Sequence, residues 1–454
     1  MPTPSNPART ADVQRLIDDH PLSAWQWLVF ALCFFVVLLD GFDTAAIGYI
    51  APSLIKDWGV SKPMLAPVLS AALFGLAAGA LLSGPIADRL GRKRVLAATV
   101  LLFGVATLAS AFASNLVELT ALRFITGLGL GAAMPSAVTL MSEYCPSSRR
   151  SMLTNLMFCG FPLGAAFGGF LAAWMIPQWG WQSVLVLGGV VPLALALALA
   201  LRLPESVRFM VTRRQPVERI RAALARIAGA QVHQIERFTL SETRVVTNER
   251  GGLAQVLARP YRLGTLMLWA AYFMGLVIFY ALINWMPLLF KEAGIDPRTA
   301  TLISALFPLG GVGAVLFGWL MDRGEPNRII AAGFALTALA VWAIGQLVGH
   351  VGALVIGVFL AGALMNTAQS SLPALAAAFY PTNARATGVS WMLGIGRFGG
   401  IVGSLLVAQL GAMQAGITTV FAVLAVPGAI AALALWVKRD ADRFGGERSA
   451  ALAH

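Results

Sequence analysis

Charge is what this chain has least of. Asp, Glu, Lys and Arg together make up 12% of its 454 residues, against 58% that are hydrophobic. A soluble domain carries about 25% charged residues. A polypeptide of this length with so few charges cannot clothe a water-facing surface, which excludes a soluble enzyme, and its apolar content excludes a disordered chain. Acids are the scarcer sign, 21 Asp and Glu against 33 Lys and Arg, for a net charge of +12. Such an excess also suits nucleic acid, so its distribution decides what it means. Cysteine is equally sparse: Cys33 and Cys159 lie in apolar runs and Cys145 beside a basic loop, with neither disulfide-framework nor zinc-ligand spacing. His20, His233, His350 and His454 all fall in polar segments or at their edges, so no metal or other cofactor is expected. Met1 to Pro21 has no apolar core, and no cleavable leader is expected there.

In place of charge the chain offers long apolar runs, each near the roughly 20 residues that carry a helix across a bilayer. Twelve are predicted, near 25–50, 64–87, 95–113, 116–141, 152–176 and 182–203, then 262–290, 299–321, 328–347, 351–379, 386–411 and 416–437. The expected fold is an all-α membrane protein with twelve transmembrane helices in two pseudo-symmetric six-helix bundles. Residues 1–203 form the N-terminal half, 204–261 a polar cytoplasmic linker and 262–454 the C-terminal half. With the N-terminus cytoplasmic, Lys56, Lys62, Lys291 and Arg298 fall on the outer face and Arg123 and Arg397 inside spans; all other Lys and Arg sit in the tails and inner connections. That split follows the positive-inside rule. The net charge is thus a topology signal rather than a nucleic-acid footprint, and both termini are expected on the cytoplasmic side of an inner membrane. Within the linker, 216–227 reads as an amphipathic surface helix.

The two halves resemble each other at an offset of about 235 residues. Gly84-Pro-Ile-Ala-Asp88-Arg89 has its counterpart in Gly318-Trp-Leu-Met-Asp322-Arg323. Tyr144-Cys-Pro146 with Arg150 is matched by Tyr380-Pro381 with Arg385, and Gly164 with Gly168 by Gly399 with Gly403. A constant spacing at three separate places implies duplicated six-helix units that rock about a central site.

Gly84-x-x-x-Asp88-Arg89-x-Gly91-Arg92-Lys93-Arg94 resembles the signature loop of the major facilitator superfamily, and Arg123-x-x-x-Gly127-x-x-x-Gly131 another of its motifs. Leu39-Asp40-Gly41-Phe42-Asp43-Thr44 resembles the narrower aromatic acid:proton symporter family, which includes 4-hydroxybenzoate and protocatechuate carriers. So do Leu203-Pro204-Glu205-Ser206, Phe379-Tyr380-Pro381-Thr382 and Arg385-Ala386-Thr387-Gly388 running on to Arg397-Phe398-Gly399. The resemblance covers nearly the whole chain. It implies a functional monomer in the lipid bilayer that imports a small aromatic carboxylate with protons, and a gating role for Gly84, Asp88, Arg89, Gly91 and Arg92. Glu143, Arg149, Arg150, Asp322 and Arg385 are expected to join those charge contacts. The second-half loop, Asp322-Arg323-Gly324-Glu325-Pro326, lacks the basic run.

Charges inside a bilayer mark function by default. Asp40 lies roughly 22 Å into span one and Asp43 one turn further, while Arg123 enters span four from the other side by about 10 Å. In a core of about 30 Å these depths are similar. Burial and a like charge favour the protonated form of a carboxylate, and a nearby arginine the ionised one. Asp40, Asp43 and Arg123 are therefore the proton-coupling candidates, the alternative being a static ion pair that locks spans one and four. Arg397, roughly 16 Å into span eleven, is too deep to snorkel and is a candidate two-pronged partner for the substrate carboxylate; Arg123 competes for that role, and helix packing is the plainer reading. For a hydroxylated ring, span seven offers Tyr272, Tyr280, Asn284 and Trp285, span ten Asn366 and Gln369, and span eleven Trp391. Interface-belt aromatics and helix-bridging amides are the competing explanation. The alternative function on the same fold is an efflux antiporter for organic anions or drugs. A membrane enzyme would need a nucleophile-and-base set or metal ligands in the spans, and the absence of intramembrane His argues against the metal version; 204–261 is too short and featureless for a sensor's output domain.

Overall fold

The computed structural model describes residues 10–146, 148–240, 256–313, 325–380 and 382–438. The first half contains α1 (Ala24–Trp58), α2 (Ala66–Leu90), α3 (Arg92–Ser110), α4 (Leu116–Tyr144), α5 (Gly160–Trp179) and α6 (Gln182–Arg202). The second contains α7 (Arg259–Glu292), α8 (Pro297–Leu309), α9 (Pro326–Leu347), α10 (Val351–Phe379), α11 (Thr382–Ala412) and α12 (Ile417–Val437). Among the described residues, eleven helices are long and apolar enough to cross a membrane. The exception is α8, whose expected continuation to 321 lies largely outside the described residues. A reciprocal capping box opens α1: Ser23 Oγ accepts the Gln26 amide, and the Gln26 side chain accepts the Ser23 amide at 2.8 Å. Gly59, at φ +62°, ends that helix in the left-handed conformation.

Glycine determines how the helices meet, because without Cβ two backbones can touch. A Cβ on Gly164 would fall on the Leu38 carbonyl, joining α5 to α1; one on Gly127 would fall on the Ala72 carbonyl, joining α4 to α2. The repeat carries both contacts into the second half. Gly399 meets the Phe273 carbonyl between α11 and α7, and Gly362 meets that of Phe307 between α10 and α8. Gly168 on Phe42 likewise becomes Gly403 on Val277. The duplication seen as spacing in sequence is therefore a duplication of helix contacts.

The first part of the polar linker folds back on the N-terminus. Strand β1 (Thr10–Asp12) pairs in parallel with β2 (Arg237–Thr239), with Thr10 opposite Arg237. Helix Val217–Ala228, close to the expected 216–227, buries Ile220, Leu224 and Ile227 in a cluster with Val13, Ile17, Val207 and Met210 that continues into Leu140 and Tyr144 of α4. Arg226 stacks 4.0 Å from the Trp25 ring. These contacts seat a small cap on the first half, beside the Gly91–Arg94 loop.

Among the described residues, the two halves meet mainly at the opposite end. Gly48 of α1 lies on the Ile283 carbonyl of α7, and Gly169 of α5 on Ala305 of α8. Lys62 Nζ pairs with Glu292 at 2.8 Å, and Lys291 Nζ donates to the Pro52 carbonyl at 2.8 Å.

Replacing Gly164 by Val should force α1 from α5 and destabilise the fold by about 1–3 kcal/mol or more. A Cβ on Gly352 meets open space, so Gly352→Ala should leave stability unchanged. Thermal unfolding of the two purified variants in detergent compares them directly.

Candidate functional site

The buried centre of α1 carries two acids one turn apart, and the structure treats them differently. Asp43 is fully buried and so is Arg123 of α4. Arg123 Nη2 donates to Asp43 Oδ2 at 2.8 Å and Nη1 to Oδ1 at 3.2 Å, while Nη2 also reaches the Asp43 backbone carbonyl at 3.3 Å. Thr107 of α3 adds a hydroxyl donor to Oδ1 at 2.7 Å. Two charges cancel there, and only Arg123 Nε is left without a hydrogen-bond partner. All four side-chain and backbone contacts stay inside the first half. The depths estimated from sequence put Arg123 level with Asp40; the structure seats it on Asp43, one turn along.

Asp40 is 3% exposed and accepts one hydrogen bond, from Thr44 Oγ1 at 3.3 Å. It lies within electrostatic reach of Arg397 on α11 in the other half, and of Asp43. Arg397 is half-buried near the middle of its helix and donates from Nη1 to the Leu76 carbonyl of α2 at 3.0 Å. Around it, glycines on α11 admit rings from α7. A Cβ on Gly396 would meet the Tyr272 ring, and one on Gly400 the Tyr280 ring. Tyr280 is in turn within electrostatic reach of Asp40, Arg397 and Tyr272. Phe161 of α5 and Phe279 of α7 meet across the halves with ring centroids 6.1 Å apart, and Phe279 continues to Phe307 at 6.0 Å.

The remaining pocket candidates take up helix-bridging positions. Asn284 donates to Ser404 Oγ at 3.4 Å, and Trp285 Nε1 to the Ser404 carbonyl at 3.0 Å, tying α7 to α11. Asn366 donates to the carbonyls of Phe307 and Gly362 at 3.1 and 2.8 Å. Gln369 Nε2 donates to the Tyr272 carbonyl at 3.2 Å, and its buried Oε1 has no partner. Trp391 is 44% exposed and stacks on Trp269, on the same stripe of α11 as exposed Phe398, Val402 and Leu405.

At the cap end, Gly91 breaks the chain between α2 and α3 with φ +99°, where a side chain would be strained. A Cβ there would also strike the Glu205 carboxylate. Glu205 Oε1 accepts the backbone amides of Lys93 and Ser206 at 3.1 and 2.9 Å, so it sits at the start of α3 as its anion. Ser206 Oγ donates to Glu143, which lies 3.8 Å from Arg92 Nε. Tyr144 donates its hydroxyl to the Glu205 carbonyl at 2.6 Å, and Arg89 is exposed. The side-chain surroundings of Gly84, Asp88, Arg150 and Arg385, and the whole of Asp322, lie outside the described residues.

Thr107, Thr44 and Glu205 were not singled out from the sequence as site residues. Each had a signal. Thr107 is a hydroxyl inside an apolar run, Thr44 follows Asp40 by one turn, and Glu205 is an acid next to a basic loop.

The family profile described as Major Facilitator Superfamily matches residues 33–324 and 268–452. The 4-hydroxybenzoate transporter PcaK of Pseudomonas aeruginosa is 51% identical over 440 residues, covering 96% of this chain and 98% of that protein. A gallate transporter of Pseudomonas putida is 48% identical and covers 93% of this chain and 94% of its own. Among solved structures, the inward-open xylose transporter XylE of Escherichia coli matches with a TM-score of 0.72 over 91% of this chain and 96% of that one. At 18% identity that likeness concerns the fold alone.

Positions one repeat after Asp43 and Arg123 hold Ile278 and Val358, both fully buried. Transplanting them tests whether the ion pair is needed for packing. Arg123→Val alone leaves a buried carboxylate unmatched and should cost about 3–5 kcal/mol, whereas the double variant Asp43→Ile, Arg123→Val should be about as stable as the native protein. Unfolding temperatures in detergent decide; a double variant as damaged as the single one would make the pair a packing necessity.

Proposed function

The chain belongs to the Major Facilitator Superfamily, and we propose that it imports a hydroxylated aromatic carboxylate, 4-hydroxybenzoate or a near relative, together with protons across the inner membrane by alternating access. Both termini then lie in the cytoplasm, on the side where the basic residues concentrate. The relatives that transport 4-hydroxybenzoate and gallate support the substrate class.

One observation carries the coupling: Asp43 is saturated within the first half, whereas Asp40 has a single hydroxyl donor and lies within electrostatic reach of Arg397 of the second half. An acid already matched by a cation has no use for a proton. An acid held away from water with few donors takes one when its compensating cation is engaged elsewhere. Arg397 is that cation, and an ionised ring carboxylate is what engages it. In the empty carrier the nearby charge of Arg397 compensates ionised Asp40 without a direct bond; the loaded carrier has protonated Asp40 and the carboxylate on Arg397. Either half-loaded form leaves one charge unmatched in a dry interior, which opposes reorientation. The ring packs against Tyr272 and Tyr280 beside Arg397, with the Asn366 and Gln369 amides toward its polar end. The Gly91–Arg94 loop, tied to Glu143 and Glu205, belongs to closure of the cytoplasmic side.

In proteoliposomes with an acid exterior, the purified protein should accumulate labelled 4-hydroxybenzoate while the outside turns alkaline; expulsion of preloaded substrate would favour the antiporter. Asp40→Asn, a permanent stand-in for the protonated acid, should retain substrate exchange and lose uphill accumulation. Accumulation by that variant at the native rate would remove Asp40 from the coupling. Arg397→Gln should weaken binding of 4-hydroxybenzoate by about 10-fold or more while changing that of its neutral methyl ester far less, by calorimetric titration. Equal losses for acid and ester would return Arg397 to a packing role.

A further inference from the structure

Arg397 is not idle in this structure. Its guanidinium holds a backbone carbonyl of the opposite half, that of Leu76, at 3.0 Å. We propose that Leu76 occupies Arg397 in the substrate's place, and that a bound carboxylate displaces it and so frees α2 from α11. This rests on the reading of Arg397 as the carboxylate's partner, and adds how binding is converted into movement.

The local structure explains why this carbonyl is available. Leu76 lies near the middle of α2, where α2 packs on α4 through Gly127 and Gly131. A Cβ on Gly131 would fall on the Leu76 carbonyl oxygen itself. The last glycine of the Arg123-x-x-x-Gly127-x-x-x-Gly131 motif therefore leaves that oxygen uncovered at the junction of α2, α4 and α11. A carbonyl is a neutral acceptor, and a carboxylate is a stronger one for the same guanidinium.

The repeat supplies the comparison. One repeat apart, the pair Arg397 and Leu76 corresponds to Pro162 of α5 and Gly311, just after α8. A Cβ on Gly311 would lie 3.2 Å from Pro162 Cβ, so this too is a junction between the halves. The two junctions are pseudo-symmetric, but the contact between the halves is a hydrogen bond at Arg397 and an apolar one at Pro162. The Pro162 contact offers an anion nothing to compete for. The Arg397 contact can be broken by a ligand that never touches α2. Among the described residues, two further hydrogen-bonded contacts join the halves, Lys62 to Glu292 and Lys291 to the Pro52 carbonyl, both near the helix ends away from the cap. Arg397 sits near mid-helix, where the proposed substrate binds.

The test reads the distance between the turn that leads into α2 and the outer end of α11, where the two now touch. The stem of Lys62 packs on Gly411, and exposed Met64 and Met413 flank that contact. Spin labels at Met64→Cys and Met413→Cys, with Cys33, Cys145 and Cys159 replaced by Ser, report it by pulsed electron resonance in the full-length protein. Saturating 4-hydroxybenzoate should raise the ratio of long to short distances on the order of tenfold, the effect of one hydrogen bond to a charged group. The methyl ester, bound but uncharged, should leave the ratio unchanged. An equal response to acid and ester overturns the proposal, as does acid binding with no lengthening at all. Absence of acid binding by calorimetry would instead sink the carboxylate reading of Arg397, and this inference with it. Arg397→Gln provides a second arm: without ligand it should already show the long-distance population of the loaded native protein. A folded Arg397→Gln variant that keeps the native short distance, judged by an unchanged unfolding temperature, counts against the release.

Discussion

A carboxylate sunk in an apolar bundle must be matched by a cation or carry a proton, and the arrangement of this site follows from how that rule is met twice on one helix. Asp43 meets it permanently, with Arg123 and Thr107 closing around it inside a single half. That leaves Asp40 dependent on a charge from the other half. A match that reaches between two moving bodies can change as they move, while a match inside one body cannot. In the proposed carrier this separates the two acids by role: Asp43 fixes the position of α1 against α3 and α4, and Asp40 exchanges its proton.

The internal repeat shows which features the fold requires and which were added to it. Glycine-on-carbonyl contacts recur at both copies, Gly164 on Leu38 with Gly399 on Phe273, and Gly127 on Ala72 with Gly362 on Phe307. Those contacts build a six-helix half. The charges buried inside the spans do not recur. Ile278 and Val358 stand where Asp43 and Arg123 stand, Gly275 where Asp40 stands, and Pro162 where Arg397 stands. A buried ion pair is seldom more stabilising than well-packed apolar residues of the same volume. Its presence in only one copy therefore points away from packing. Arg397 reaches the first half from the second, so in the proposed carrier the intramembrane charges form one site from both copies.

Much of this was legible in the sequence because it depends on hydrophobicity, which is a property of runs. Span positions, the repeat and the few intramembrane charges all follow from where polar residues interrupt apolar ones. The pairing of those charges was less legible. Depth counted along helices cannot resolve one turn, about 5.4 Å, and so could not distinguish Asp40 from Asp43 as the partner of Arg123. Nor does counting reveal which side of a helix faces a neighbour; Trp391 and Arg397 belong to the same span, yet one lies on an exposed stripe and the other reaches α2. The cap was hidden for another reason. Its strand pairing joins Thr10–Asp12 to Arg237–Thr239, segments too short and too far apart for periodicity to link. Glu205 gained meaning only once Gly91 brought the α3 amides to it.

The contacts between the halves differ in what can undo them. Lys62 and Glu292 are bonded at 2.8 Å, but the Glu292 side chain is 47% exposed, and a pair so wetted is screened and contributes little. The Lys62 stem on Gly411 and Gly48 on the Ile283 carbonyl exclude water better, yet no ligand at the centre can reach them. In the proposed carrier, packing at that end makes no direct contact with a ligand at the centre, so any change there has to be transmitted from the centre. Sensitivity to substrate has to enter where a polar contact between the halves lies at the level of the bound anion. Among the described residues, the Arg397–Leu76 bond meets that condition, because the same guanidinium that holds the halves together is the one a ring carboxylate would claim. A lysine there would carry the charge as a single point. The planar fork of arginine presents several donors, so the exchange from carbonyl to carboxylate can proceed one prong at a time without leaving the cation bare.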